Sequence, residues 1–142
     1  MTKVVYNACY GGFGLSREAC KRYWELQGKE VWIEQDKQFK SLDMFTVWLV
    51  PPEERLKQKD WSSMSLTERI AYNKKHSEQT WYYNNVDRHD PILVQVVEEL
   101  GAKANGSCAK LSIAEVSGPY RIDEYDGNET VVEPDGYDWI TP

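Results

Sequence analysis

Residues 3–20 read KVVYNACYGGFGLSREAC. The β-branched and aromatic run Lys3–Asn7 predicts a buried strand. Gly11, Gly12 and Gly14 crowd around Phe13, and Ser16 stands where a helix N-cap belongs. Beyond it Ala19, Cys20, Tyr23, Trp24 and Leu26 give an apolar face at helical spacing, and Gly28 falls at the C′ position. A helix is therefore expected from Ser16 to about Gln27. Strand, glycine turn and capped helix in that order make the front of the chain α/β.

Working outward, EVWIEQ at 30–35 and MFTVWLV at 44–50 are strand candidates, the second ended by Pro51-Pro52. SLTE at 65–68 is a capping box that opens a helix to about Ser77, with Lys74, Lys75 and His76 suited to its C-terminal end. TWYYNN at 80–85 fits no single type. The segment 53–85 reads as a helical insertion or lid, or as a plain helical layer over the sheet. Asp90 caps and Pro91 opens a helix striped by Ile92, Leu93, Val96, Val97 and Leu100, stopping near Gly101. CAKLSIAEV at 108–116 alternates as a strand. YRIDEY at 120–125 and ETVVE at 129–133 flank the turn DGN, a hairpin. Residues 134–142 read as a surface tail pinned by Tyr137 and Trp139. The expected fold is α/β or α+β: a single globular domain, 1–142, with a mixed β-sheet, about three packed helices and a C-terminal antiparallel hairpin.

With 142 residues, 41% of them hydrophobic and 28% charged, the chain can bury a core and is not of disordered composition. The net charge of −6 is uneven. Residues 1–114 carry 16 basic and 15 acidic side chains, whereas 115–142 carry Arg121 against eight acids. That excludes a general nucleic-acid binder, which needs a dominant basic face. It leaves a local basic pocket, or an acidic surface that meets a basic partner. Cys9, Cys20 and Cys108 cannot all pair within the chain, and none lies in a C-x-x-C spacing. Without a leader or a membrane-length apolar run, the expectation is a reduced cytoplasmic protein with no membrane partner. His76 and His89 are too scattered for zinc, so neither metal nor cofactor is expected.

The strand–glycine–helix arrangement is one that binds phosphate, because backbone N–H groups and the helix start converge there. The spacing is G-G-x-G, neither the dinucleotide nor the nucleoside-triphosphate fingerprint. The candidate ligand-binding set is Asn7, Tyr10, Gly11, Gly12, Phe13, Gly14, Ser16, Arg17, Arg88 and His89. Arg17 and Arg88 would meet the charge, Tyr10 or Phe13 would stack on a base, and His89 could move a proton. The competing explanations are a tight connection with glycines at positive φ, and a capping role for the Arg88–Asp90 segment. Cys9 is a weak nucleophile candidate without a legible base. Asp123, Glu124 and Asp126 suit either a cation or an acidic exposed hairpin.

Three segments, VVYNACYGGFGLSREA, RHDPILVQVVEELGAKANGSCAKLSIAEV and YRIDEYDGNETVVEP, together resemble a family of small proteins of tailed bacteriophages and prophages. Residues 28–85 do not share in the resemblance. It implies a phage origin and the cytoplasm of the infected bacterium, and it transfers no catalytic residue. The resulting expectation is a non-enzymatic accessory protein that binds a phosphate-bearing small molecule, such as a nucleotide, and so counteracts a host function. The alternatives are an acidic module that inhibits a host protein and a small nucleotide-modifying enzyme.

Overall fold

The computed structural model describes residues 1–35, 44–57 and 60–134. The expected α/β content is present, with three α-helices and a C-terminal hairpin. Strand pairing among the described residues is antiparallel throughout and falls into three small sheets, in place of the one mixed sheet expected. The chain divides into two compact units, Met1–Gln27 with Tyr83–Pro142, and Gly28–Tyr82. The second unit is wider than the expected insertion at 53–85, because the strand candidates after Gly28 pair with the residues that follow the middle helix.

In the first unit, β1 (Thr2–Asn7) pairs with β5 (Leu111–Val116), in register from Thr2↔Val116 to Asn7↔Leu111. The expected strand at 108–116 thus begins three residues late, and Cys108 lies in the turn before it. Helix α1 (Arg17–Glu25) starts at Ser16, whose hydroxyl accepts from Ala19 N. Helix α3 (Pro91–Leu100) starts at Asp90, whose Oδ1 accepts from Ile92 N. Asp90 Oδ2 also accepts from the Tyr23 hydroxyl at 2.7 Å, which ties α1 to α3. The core gathers Val4 and Val5 of β1, Ala19, Cys20 and Tyr23 of α1, and Leu93, Val94, Val96 and Val97 of α3, all buried. β6 (Arg121–Tyr125) and β7 (Asn128–Val132) form the hairpin. Its two-residue turn, Asp126-Gly127, has both φ values positive (50° and 85°), the conformation for which Asp-Gly is chosen. The expected tail at 134–142, with Tyr137 and Trp139, lies outside the described residues except for Pro134.

The second unit pairs β2 (Trp32–Gln35) with β3 (Phe45–Trp48), and β3 with β4 (Thr80–Trp81). The untyped TWYYNN therefore supplies a short strand and then a 3-10 turn, Tyr83–Asn85. Helix α2 (Leu66–Gln79) runs two residues past the expected end, with Ser65 as its N-cap: the Ser65 hydroxyl accepts from Glu68 N and donates to the Glu68 carboxylate. No α2 residue is fully buried. The helix meets its unit through the half-buried Tyr72, His76 and Gln79.

Burial pushes the Cys20 thiol up to about 12. Burial, and then the hydrogen bond to Asp90, push the Tyr23 phenol up to about 12. Both groups are neutral when protonated, so the folded chain holds these protons where the unfolded chain releases them. Their contribution is complete below the ordinary values of 9.0 and 10.0 and is lost as pH rises toward about 12. The urea midpoint is expected to fall across that window, and to fall less steeply in Cys20→Ala. Equal slopes for the two chains would contradict the assignment to Cys20.

Candidate functional site

The glycine loop and Arg88 do meet in space. The Arg88 guanidinium lies over the Phe13 ring, 3.5 Å from its centroid, and Phe13 packs edge-on against Tyr83. The Arg88 charge is already matched, however. Its two terminal nitrogens donate to both carboxylate oxygens of Glu129, at 2.6 and 2.9 Å, and Glu129 is buried. Glu129 Oε1 also accepts from Asn7 N at 2.8 Å. A bidentate, desolvated pair of this kind is a structural tie. Sequence reading missed Glu129 because an acid in a hairpin strand reads as solvent-facing.

Asn7 is fully buried and its amide is saturated. Nδ2 donates to the carbonyls of Cys9 and Gly127, and Oδ1 accepts from Lys110 N at 2.8 Å with the Cys9 thiol 3.3 Å away. An asparagine has two N–H donors and two acceptor sites, so nothing is left for a ligand. The loop glycines are explained by packing. A Cβ on Gly11 would stand 1.7 Å from the Cys108 carbonyl oxygen. The Gly14 carbonyl accepts from Gly106 N, and the two backbones touch. Gly12 has φ +93°. Gly127 of the hairpin turn rests on Tyr10 O and Gly12 N, too close for a Cβ.

Ser16 accepts from Ala19 N and donates to Lys103 O at 2.6 Å, so the start of α1 is capped from within the chain. Arg17 is half-buried as the first residue of α1, and Tyr10 is exposed. His89 Nδ1 lies 2.6 Å from the Tyr120 hydroxyl. Burial and then the nearby Asp87 raise the Tyr120 pKa. In the hairpin, Asp123 pairs with Arg121, and Glu124 Oε1 accepts from Gly127 N. Among the described residues, no group of three or more His, Cys, Asp or Glu side chains is placed to hold a metal ion. No helix among them is long and apolar enough to cross a membrane.

The second unit holds a different constellation. A cleft of about 360 Å³ is lined by Glu34, Thr46, Trp48, Arg55, Leu56, Tyr72 and His76. Spacing on α2 puts Tyr72 and His76 one turn apart on one face, where their rings stack at 18°. Trp48 of β3 meets His76 edge-on, and Arg55 lies over the Trp48 ring at 5.1 Å. Gln79 at the end of α2 fixes the Arg55 segment: Oε1 accepts from Leu56 N and Nε2 donates to Glu54 O. Arg55 makes a single 2.8 Å contact with Glu34, whose side chain is half exposed.

Two donors in this wall stand idle. Trp48 Nε1 and Arg55 Nε are buried and, among the described residues, have no hydrogen-bond partner. Both are donors only, and a buried N–H without an acceptor costs about 1–3 kcal/mol. The cleft therefore presents stacked rings and a cation, while the two idle N–H groups lie behind its surface, out of contact with solvent. From the sequence, 53–85 reads as a helical insertion or lid, or as a plain helical layer, and Trp48 falls outside it. The usable signal is Tyr72 and His76 at i, i+4 on a largely polar helix. Comparison with protein-family models, with curated proteins and with solved structures finds no match.

Proposed function

We propose that the protein is a non-enzymatic binding protein for a phosphate-bearing small molecule of the nucleotide class, and that its site is the Trp48–Arg55–Tyr72–His76 cleft. The observation that carries this reading is the meeting of the Trp48, Tyr72 and His76 rings with the Arg55 guanidinium on one ligand-sized cleft. The Arg55 guanidinium favours an anionic ligand rich in acceptors, which a phosphate supplies. Tyr72 and His76 offer ring faces on which a base stacks. The volume suits one base, sugar and phosphate, near the lower end of ligand pockets. The Gly11–Ser16 loop and Arg88 are a structural joint in this reading. The resemblance to phage proteins supplies the context: sequestration of a host nucleotide would counteract a host function.

Calorimetric titration with nucleoside monophosphates, free nucleosides and inorganic phosphate tests the reading. Saturable binding of a monophosphate is expected, with nucleoside and phosphate alone weaker. Tyr72→Ala removes one of the two stacked rings from a helix that buries no residue fully, so it is expected to weaken binding about tenfold with the fold retained. Mass spectrometry of the ligand after denaturation is expected to recover it unaltered. A panel in which no monophosphate binds would overturn the reading, and recovery of a modified nucleotide would make the protein an enzyme.

A further inference from the structure

We infer that Cys9 and Cys108 form a thiol modification site, which a low-molecular-weight disulfide such as glutathione disulfide converts into an intramolecular disulfide. This inference is independent of the cleft in the second unit. The ladder between β1 and β5 continues past its last registered pair, Asn7↔Leu111, through the bond from Ala8 N to Lys110 O at 2.7 Å. Continued by two residues, this register sets Cys9 opposite Ala109, with Cys108 next in the chain, in the turn before β5. Its sulfur lies 3.2 Å from the Cys108 carbonyl oxygen. The Cys108 Cβ sits only 2.8 Å from the point where Gly11 would carry its own, so that side chain is turned toward the loop that Cys9 opens. The sulfur of one cysteine thus already touches the backbone of the other, and the movement the bond requires is rotation of the Cys108 side chain away from the Ser107 hydroxyl, 3.9 Å from its sulfur.

Exposure sets the order of events. Cys108 is exposed, Cys9 is half-buried and Cys20 is buried in the core. The Cys108 thiolate attacks glutathione disulfide, forming a mixed disulfide and releasing one glutathione. The Cys9 thiolate then attacks the Cys108 sulfur and displaces the second glutathione. Two electrons pass from the protein to glutathione disulfide, and the two protons lost by the protein thiols end on the two glutathione thiols. The product covalently closes the chain from 9 to 108, with the whole of Gly28–Tyr82 inside the loop.

The native chain is incubated in glutathione buffers of rising disulfide-to-thiol ratio, its free thiols are alkylated, and its peptides are mapped by mass spectrometry. A linked Cys9–Cys108 peptide is expected to replace both free thiols, while Cys20 takes the alkylating reagent only after unfolding. Cys20→Ala is expected to form the same link. Glutathione carried on Cys9 and Cys108 with no cross-link at any ratio would overturn the inference, as would a link that appears only in denaturant.

Discussion

Gly11→Ala is expected to cost about 4 kcal/mol or more, enough to abolish or nearly abolish folding of a domain of ordinary stability. The reason is local and steric. The added methyl would stand 1.7 Å from a backbone carbonyl oxygen, that of Cys108, where no side-chain rotation gives relief. Either β1 or the turn before β5 must move, and both are held by the Asn7 amide. Gly12→Ala is the control one residue away. Its Cβ would meet nothing within 4 Å, and only the φ of +93° opposes it, so a loss of about 1–3 kcal/mol is expected. Urea denaturation of the two variants checks the contrast. Equal losses would mean that backbone conformation, and not the crossing with Cys108, explains the glycines.

Glu129→Ala is expected to cost about 3–5 kcal/mol, because it leaves the half-buried Arg88 guanidinium without a counter-charge and Asn7 N–H without an acceptor. The pair as a whole is worth much less than that figure, since both charges were desolvated to form it. Replacing both, as Arg88→Met with Glu129→Met, is therefore expected to cost less than Glu129→Ala alone. A double variant as unstable as the sum of two single variants would show that the residues do not act as a pair.

The features legible in sequence were those written within a few residues. Ser16, Ser65 and Asp90 cap helices because a side-chain oxygen reaches a backbone N–H two or three positions on. Asp126-Gly127 announces its hairpin for the same local reason. The partners of the glycine loop were not legible. Gly11 needs its missing side chain because of Cys108, and Arg88 is matched by Glu129, relations that leave no periodic trace. The loop read as either a phosphate cradle or a tight connection, and what comes close to it is the chain itself. The cleft was hidden for a further reason. Trp48, Arg55 and His76 lie on three separate elements, and only the fold of Gly28–Tyr82 sets their rings and N–H groups side by side.

The saturated amide of Asn7 has a consequence for how the molecule is born. Its bonds, with that of its own backbone N–H to Glu129, reach across separations of 103, 120 and 122 residues. β1 leaves the ribosome before its partners, and the acceptor for its last amide follows roughly 6–24 seconds later at ordinary rates of synthesis. Until β5 is made, β1 is a strand with an open edge and no ladder partner, while the contiguous Gly28–Tyr82 segment is fully synthesised before then. The N-terminal strand is thus completed only by residues synthesised more than a hundred positions after it.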